Sequence, residues 1–293
     1  MKKIIPFLAL FLFINEGTRA QSPITVDEDN FSFGSSSVNG FSVVIPEAEY
    51  ESTMKNWVKL LESGTKSSVV SESDGMSIFG ARIKAVSDNP VNVYSKLSGQ
   101  DSVLNLQVAI ELEKDHYAGN SELTGVREYL IDFAKGQYLD IVNEQIAVES
   151  KILNDLKKEL KSLERSHSRM EKSIKSSEQD IITDDEKLAE LNNELASVSS
   201  EISRYEVGGM GNQKMTGTNA DLLKDLEKQE KKIRREINSL EKKLGKNEGE
   251  ISQNEREIPR NVNEQEDARM RVEEQEAVLQ KYIDKREAIE DYR

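Results

Sequence analysis

The chain contains no cysteine in its 293 residues. That absence removes disulfides, thiolate metal ligands, a cysteine nucleophile and a lipid carried on an N-terminal cysteine. Histidine is scarce, with two in all, so imidazole chemistry is confined to His116 and His167. The chain has one tryptophan, eight tyrosines and eight phenylalanines, which limits how much large-side-chain core it can build. Only five prolines are present, and long unbroken helices are therefore permitted. No segment after the first twenty residues is apolar enough to cross a bilayer, which takes about 20 apolar residues in a helix.

The first twenty residues read as a secretory signal. Lys2 and Lys3 give the positive start, Ile4 to Ile14 form a short apolar run interrupted by Pro6, and Thr18 and Ala20 are small residues before Gln21. A short, lysine-led signal of this kind implies export across an inner membrane, with a bacterial periplasm as destination. Net charge is −14. The seventeen acidic and nine basic residues of 21–138 give −8, and the 36 acidic and 28 basic residues of 139–293 also give −8. Both parts would repel phosphate backbones, which argues against nucleic acid and anionic lipid as partners. Eleven of the seventeen aromatic residues lie in 21–138 and three in 139–293, so the architecture changes near residue 138.

What the second part has in abundance is a seven-residue repeat. From Leu139 to Tyr205 the a and d positions keep phase without a slip. Sixteen of these twenty positions are apolar, the exceptions being Glu149, His167, Ser177 and Asp184. A stripe this narrow needs a partner helix. A second helix keeps phase from Leu223 to Ile289, with Glu230, Asn247, Asn254, Asn261, Gln265, Gln275 and Arg286 as its polar core positions. The glycines of the intervening segment indicate a loop, with Thr218 placed to cap the second helix. Nearly equal lengths about one loop favour an antiparallel hairpin, roughly 100 Å long at 1.5 Å per residue. The alternative is pairing with another subunit. With the loop centred near 213, residues whose numbers add to about 427 should face each other. His167, Ser177 and Asp184 then meet the soft stretch holding Gly245, Asn247, Gly249, Asn254 and Pro259. Pro259 should kink or break its helix, and Thr183 to Glu186 reads as a capping box at which the first helix could restart. A hinge at mid-stalk follows as an expectation, resting on His167, Ser177, Asp184, Asn247, Gly249 and Pro259; a loosely paired, solvated stretch is the plain alternative.

The first part reads as a small α+β head. Phe41 to Ile45 is a short strand, and Tyr50, Met54, Trp57, Val58 and Leu61 make an amphipathic helix ended by Gly64. Four strands follow, with a turn at Asp74-Gly75 and clean alternation through Leu104, Leu106, Val108, Ile110 and Leu112, which implies one covered and one wet face. A second helix begins near Val126 and should run into the stalk. Residues 22–40 look like a flexible lead-in, although Phe31 or Phe33 could dock on the head.

The expected fold is thus an α+β head, a two-layer sandwich of antiparallel sheet with two helices on one face, followed by a long antiparallel coiled-coil hairpin. The expected boundaries are 1–20 signal peptide, 21–40 lead-in, 41–138 head, 139–206 first stalk helix, 207–218 tip loop and 219–293 second stalk helix. Motifs for chemistry are missing. There is no Gly-x-Ser-x-Gly elbow, and Gly208-Gly209-Met210-Gly211 lacks the lysine of a phosphate loop. His116, in Glu113-Lys114-Asp115-His116, has no second histidine for a metal. No catalytic, cofactor or metal residue is assigned, and no cofactor is expected. Val207, Met210 and Met215 at the tip are candidate contacts for a protein partner, since methionine surfaces adapt to varied shapes. The functional expectation is a non-catalytic adaptor or scaffold for protein partners, a second copy of the chain among those open to it. A holdase-type periplasmic chaperone is the alternative, and a small hydrolase in the head stands third.

Overall fold

The computed structural model of the protein describes residues 24–34, 36–100, 103–209 and 217–292. The chain divides into two compact units. One comprises Met1–Lys151 with Ala277–Arg293, and the other Ile152–Glu276. The fold is α+β: an antiparallel sheet of seven strands, with two long helices forming a helical hairpin.

In the first unit, strands β1 (Val26–Phe33) and β2 (Ser36–Pro46) precede helix α1 (Tyr50–Glu62). Strands β3 (Val70–Glu72), β4 (Gly75–Ala81), β5 (Val91–Gln100), β6 (Val103–Glu113) and β7 (His116–Tyr117) follow, and helix α2 (Leu123–Gly209) begins here. The strands lie in the order β1-β2-β6-β5-β4-β3, with β7 paired to β6. Helix α1 starts where it does because the Glu49 carboxylate accepts from the backbone N–H groups of Glu51 at 3.0 Å and Ser52 at 2.7 Å. It stops at Glu62, and Gly64 just beyond takes φ +76°, which a side chain would resist. Trp57 and Leu61 of α1 share one core with Val126, Leu130 and Ala134 of α2 and with Leu106, Val108 and Ile110 of β6. Each buried leucine, isoleucine or valine among them contributes roughly 1.5–3 kcal/mol. The indole N–H of Trp57 is not left unpaired, since it donates to Ser95 Oγ at 2.9 Å.

Two expectations for this unit need correction. Within the predicted lead-in 21–40, Val26–Phe33 is a full strand, paired with β2 from Val26↔Val43 to Phe33↔Ser36. Its acidic run made it look unstructured, yet charge on an edge strand is a common way to discourage stray pairing. The second correction concerns the sheet face away from the helices, which is not simply wet. Phe31 and Val38 are buried there against Ala109 of β6, and the ring of Phe33 stands 5.2 Å from that of Tyr94, edge to face. Tyr94 lies three strands along from β1, so the β1–β2 ribbon curls across the sheet. Gly40 permits the curl: a Cβ there would fall 2.4 Å from the Val108 carbonyl oxygen and 3.1 Å from the Phe31 ring. At Gly75 the glycine is likewise required by close approach, a Cβ there meeting the Ser95 carbonyl oxygen at 2.5 Å.

The second unit is formed by α2 and helix α3 (Gly217–Glu290). Its buried positions fall on the heptad core, from Leu153 to Ile202 on α2 and from Leu226 to Val272 on α3, and the half-buried ones do so too except Ser168, Ser173 and Ser199 beside the stripe on α2. Cross-hairpin pairs fix the register. Asp184 meets Lys243, Glu159 meets Arg271, and Ser199 meets Glu230. Their numbers add to 427, 430 and 429, as a loop centred near 213 requires. Neither helix breaks where the sequence suggested. Pro259 lies inside α3 with its exposed ring on the outer face, where water can reach the carbonyl it leaves unpaired. Thr183 does not cap a new helix; its hydroxyl donates back to the Gln179 carbonyl at 3.0 Å, within a continuous α2. Thr218 likewise lies inside α3, one residue past its start.

Candidate interaction surfaces

The tip was expected to be a loop from 207 to 218. Val207 instead belongs to α2 and is 71% exposed, with α2 ending at Gly209 and α3 starting at Gly217. Met210 and Met215 lie outside the described residues.

Of the mid-stalk residues, the structure buries three and leaves two at the surface. Ser177, Asp184 and Asn247 are all buried in the hairpin interior. Asp184 carries a charge into that interior, and the ammonium of Lys243 reaches it at 2.9 Å. The same hydrogen bond to Asp184 raises the Lys243 pKa above the usual lysine value. Asn247 Nδ2 has no hydrogen-bond partner, an unfavourable state for a buried donor. Further along, Asn261 and Gln265 are buried together, with Gln265 Nε2 donating to Asn261 Oδ1 at 2.7 Å. His167 is half-buried, with Nε2 3.7 Å from a Glu171 carboxylate oxygen. Gly249 and Pro259 face outward, and a Cβ at Gly249 would meet nothing within 4 Å. Lys243 was not singled out in the sequence, although the 427 rule pairs it with Asp184.

The head carries two clusters that no sequence motif announced. On the outer sheet face the buried Glu111 carboxylate accepts from Asn92 Nδ2 at 2.7 Å, the Asp115 N–H at 3.0 Å and the Tyr94 hydroxyl at 3.3 Å. The Asn92 bond, then the Asp115 bond, hold the Glu111 pKa below the usual carboxylate range. Burial, with the Glu111 charge beside it, pushes the Tyr94 phenol up to about 12. A carboxylate so well supplied with donors is a weak base. The second cluster centres on Glu47, a non-glycine residue at φ +56°. Its carboxylate takes the ammonium of Lys285 at 2.5 Å and the Tyr138 hydroxyl and Gln145 amide at 3.3 Å each. Lys285 also lies 5.2 Å from the centre of the Tyr138 ring. This cluster anchors the last turns of α3 in the head unit, together with Lys135, whose ammonium donates to the Glu290 and Tyr292 carbonyls.

Two concavities open on the head. One, of about 550 Å³, runs between α1 and α2 past Asn56, Lys59, Tyr129, Phe133 and Gly136. The other, of about 820 Å³, lies between the β1–β2 ribbon and the segment Asp115–Asn120. His116 stands in the second, exposed, beside carboxylates and amides. Among the described residues no group of three histidine or acidic side chains is placed to hold a metal. No described helix is long and apolar enough to cross a membrane.

No protein-family model matches the chain, and no curated protein matches it. Among solved structures it is similar to an Smc head domain with a coiled coil and joint derived from Pyrococcus yayanosii. That likeness is 14% in identity and covers 92% of this chain and 67% of that one, with a TM-score of 0.20. A TM-score that low carries no argument about fold or function.

Proposed function

We propose that the protein is a non-catalytic adaptor or scaffold, exported to a bacterial periplasm, whose coiled-coil hairpin offers binding surface to protein partners. The observation that carries this reading is the hairpin itself. Helices of 87 and 74 residues bury their heptad positions and leave the remaining faces exposed and charged. A stalk of this kind holds contact surfaces in place but encloses no site for a reacting substrate. The head supports the same view. It packs sheet against helices, and its buried carboxylate Glu111 is spent on internal hydrogen bonds. Export is supported by the lysine-led apolar run before Gln21 alone.

The test is site-specific photocrosslinking in the native compartment, from outward positions along α2 and α3 and from Val207. An adaptor gives a few discrete, saturable products from a contiguous set of positions. A smear of many clients from every position, with suppression of aggregation by the pure protein, would favour the holdase. Turnover of an ester or glycoside panel that vanishes in Glu111→Gln would favour a hydrolase.

A further inference from the structure

The second unit carries two surfaces of opposite charge that fit each other but cannot meet within one chain. On α3, the positions farthest from the heptad core hold Lys228, Lys231, Lys232, Arg235, Lys242 and Lys246, all exposed, with no carboxylate on that face between the first and the last. Lys228 and Lys232 have neighbours along their own helix, Asp225 at 2.9 Å and Glu236 at 3.8 Å. The other four have no carboxylate within 4 Å among the described residues. This is a basic ridge on a chain of net charge −14.

The opposite surface is one flank of the hairpin, marked by the pairs Lys157–Glu276 at 2.7 Å and Glu164–Arg269 at 3.5 Å. Three heptads further toward the tip, the same register sets Glu178 across from Glu255 and Asp185 across from Glu248. Glu171 and Glu241 border them, and all six are exposed. Glu171 has His167 at 3.7 Å. The remaining five have no cation within 4 Å among the described residues. Like charges facing each other across a helix pair work against the pairing, and the hairpin gains nothing internally from them. The ridge spans 18 helical steps, about 27 Å, and the flank 14, about 21 Å, at 1.5 Å per step. The two surfaces thus match in length and oppose in charge, yet they point in different directions from one hairpin.

We propose that the basic ridge of one copy docks on the acidic flank of a second copy, so that the protein self-associates along its hairpins. The inference rests on the scaffold reading and names one partner for it. The ridge lysines then replace the missing cations beside Glu178, Asp185, Glu248 and Glu255. An interface between exposed charges must be screened by salt.

The experiment is sedimentation velocity on the full chain at about 0.05 M and about 0.5 M salt, either side of the ionic strength at which exposed charges a Debye length apart decouple. Two variants accompany it. One reverses the ridge (Lys231→Glu, Arg235→Glu, Lys242→Glu), and the other reverses the flank (Glu178→Lys, Asp185→Lys, Glu248→Lys). The wild type is expected to reach at least about twice the monomer mass at low salt and to fall to monomer at high salt, as contacts between exposed charges do. Each variant alone should be monomeric with unchanged helix content by circular dichroism. An equimolar mixture of the two should associate again, because an acidic ridge now meets a basic flank. Recovery in the mixture cannot arise from misfolding. A wild type that is monomeric at low salt, association indifferent to both reversals, or a mixture that stays monomeric would each overturn the proposal. Those results would leave the photocrosslinking test of the scaffold reading untouched.

Discussion

The carboxylate of Asp184 on α2 is held by the ammonium of Lys243 on α3, 2.9 Å away, with Asp184 buried and Lys243 half-exposed. The pair sits in the middle of the hairpin, where both helices place polar residues at core positions. A buried charge of this sort depends on its one partner, and removing the partner costs more than removing both.

Lys243→Ala should therefore lower the hairpin's melting temperature, since it leaves the buried Asp184 carboxylate without its cation. Asp184→Leu should leave it unchanged or raise it, since an apolar residue suits a heptad core better than an ion. Thermal melts followed by the far-ultraviolet circular dichroism of the helices distinguish the two. The Lys243 pKa is raised in the folded state, so the pair's contribution is complete below the ordinary lysine pKa and is lost as pH rises through the raised one. Equal melts for wild type and Lys243→Ala at neutral pH would show that the ion pair holds nothing.

Glu111 should give the head an acid-sensitive component. Its folded pKa is depressed, so its contribution is present above the usual carboxylate pKa and disappears as pH falls through the depressed value. Glu111→Ala leaves three donors without their acceptor and should cost about 1–3 kcal/mol at pH 7. Urea denaturation of Glu111→Gln and wild type between pH 3 and pH 7, a range about the carboxylate pKa, should show curves that converge at the acid end. Parallel curves would assign the acid sensitivity elsewhere.

Phe31→Ala should release the β1–β2 ribbon from the outer sheet face. The ring is buried against Val38 and Ala109, and deleting it should cost about 3–5 kcal/mol. Limited proteolysis should then cut between residues 26 and 40 well before the rest of the head. Continued resistance there would mean that strand pairing alone secures the ribbon.

The hairpin was legible in the sequence because its signal is local and repeated. Leu153, Leu156, Leu160 and Leu163 announce a narrow stripe without reference to any partner, and one glycine-rich segment sets the register. Strand β1 was not legible, because its order comes from distant contacts: Val26 opposite Val43, and Phe33 against Tyr94. Its own sequence, acidic and followed by serines, points the other way. Pro259 and Thr183 misled for the opposite reason. Each is a strong local signal, but tertiary pairing carries the helix past it. Glu111 and Glu47 were invisible as sites, since nothing in sequence spacing links them to Asn92, Tyr138 or Lys285.

The claim on which all else stands is that the two heptad helices pair with each other inside one chain. The absence of native cysteine makes the test clean. Cysteines placed at Leu191 and Ile237, both core positions that the register brings face to face, should form a disulfide on mild oxidation at high dilution. The product should migrate as a crosslinked monomer, while a mismatched pair at Leu191 and Ile258 should stay reduced. Crosslinking of 191 to 237 only between chains, or none at all, would contradict the hairpin and with it the scaffold built on it.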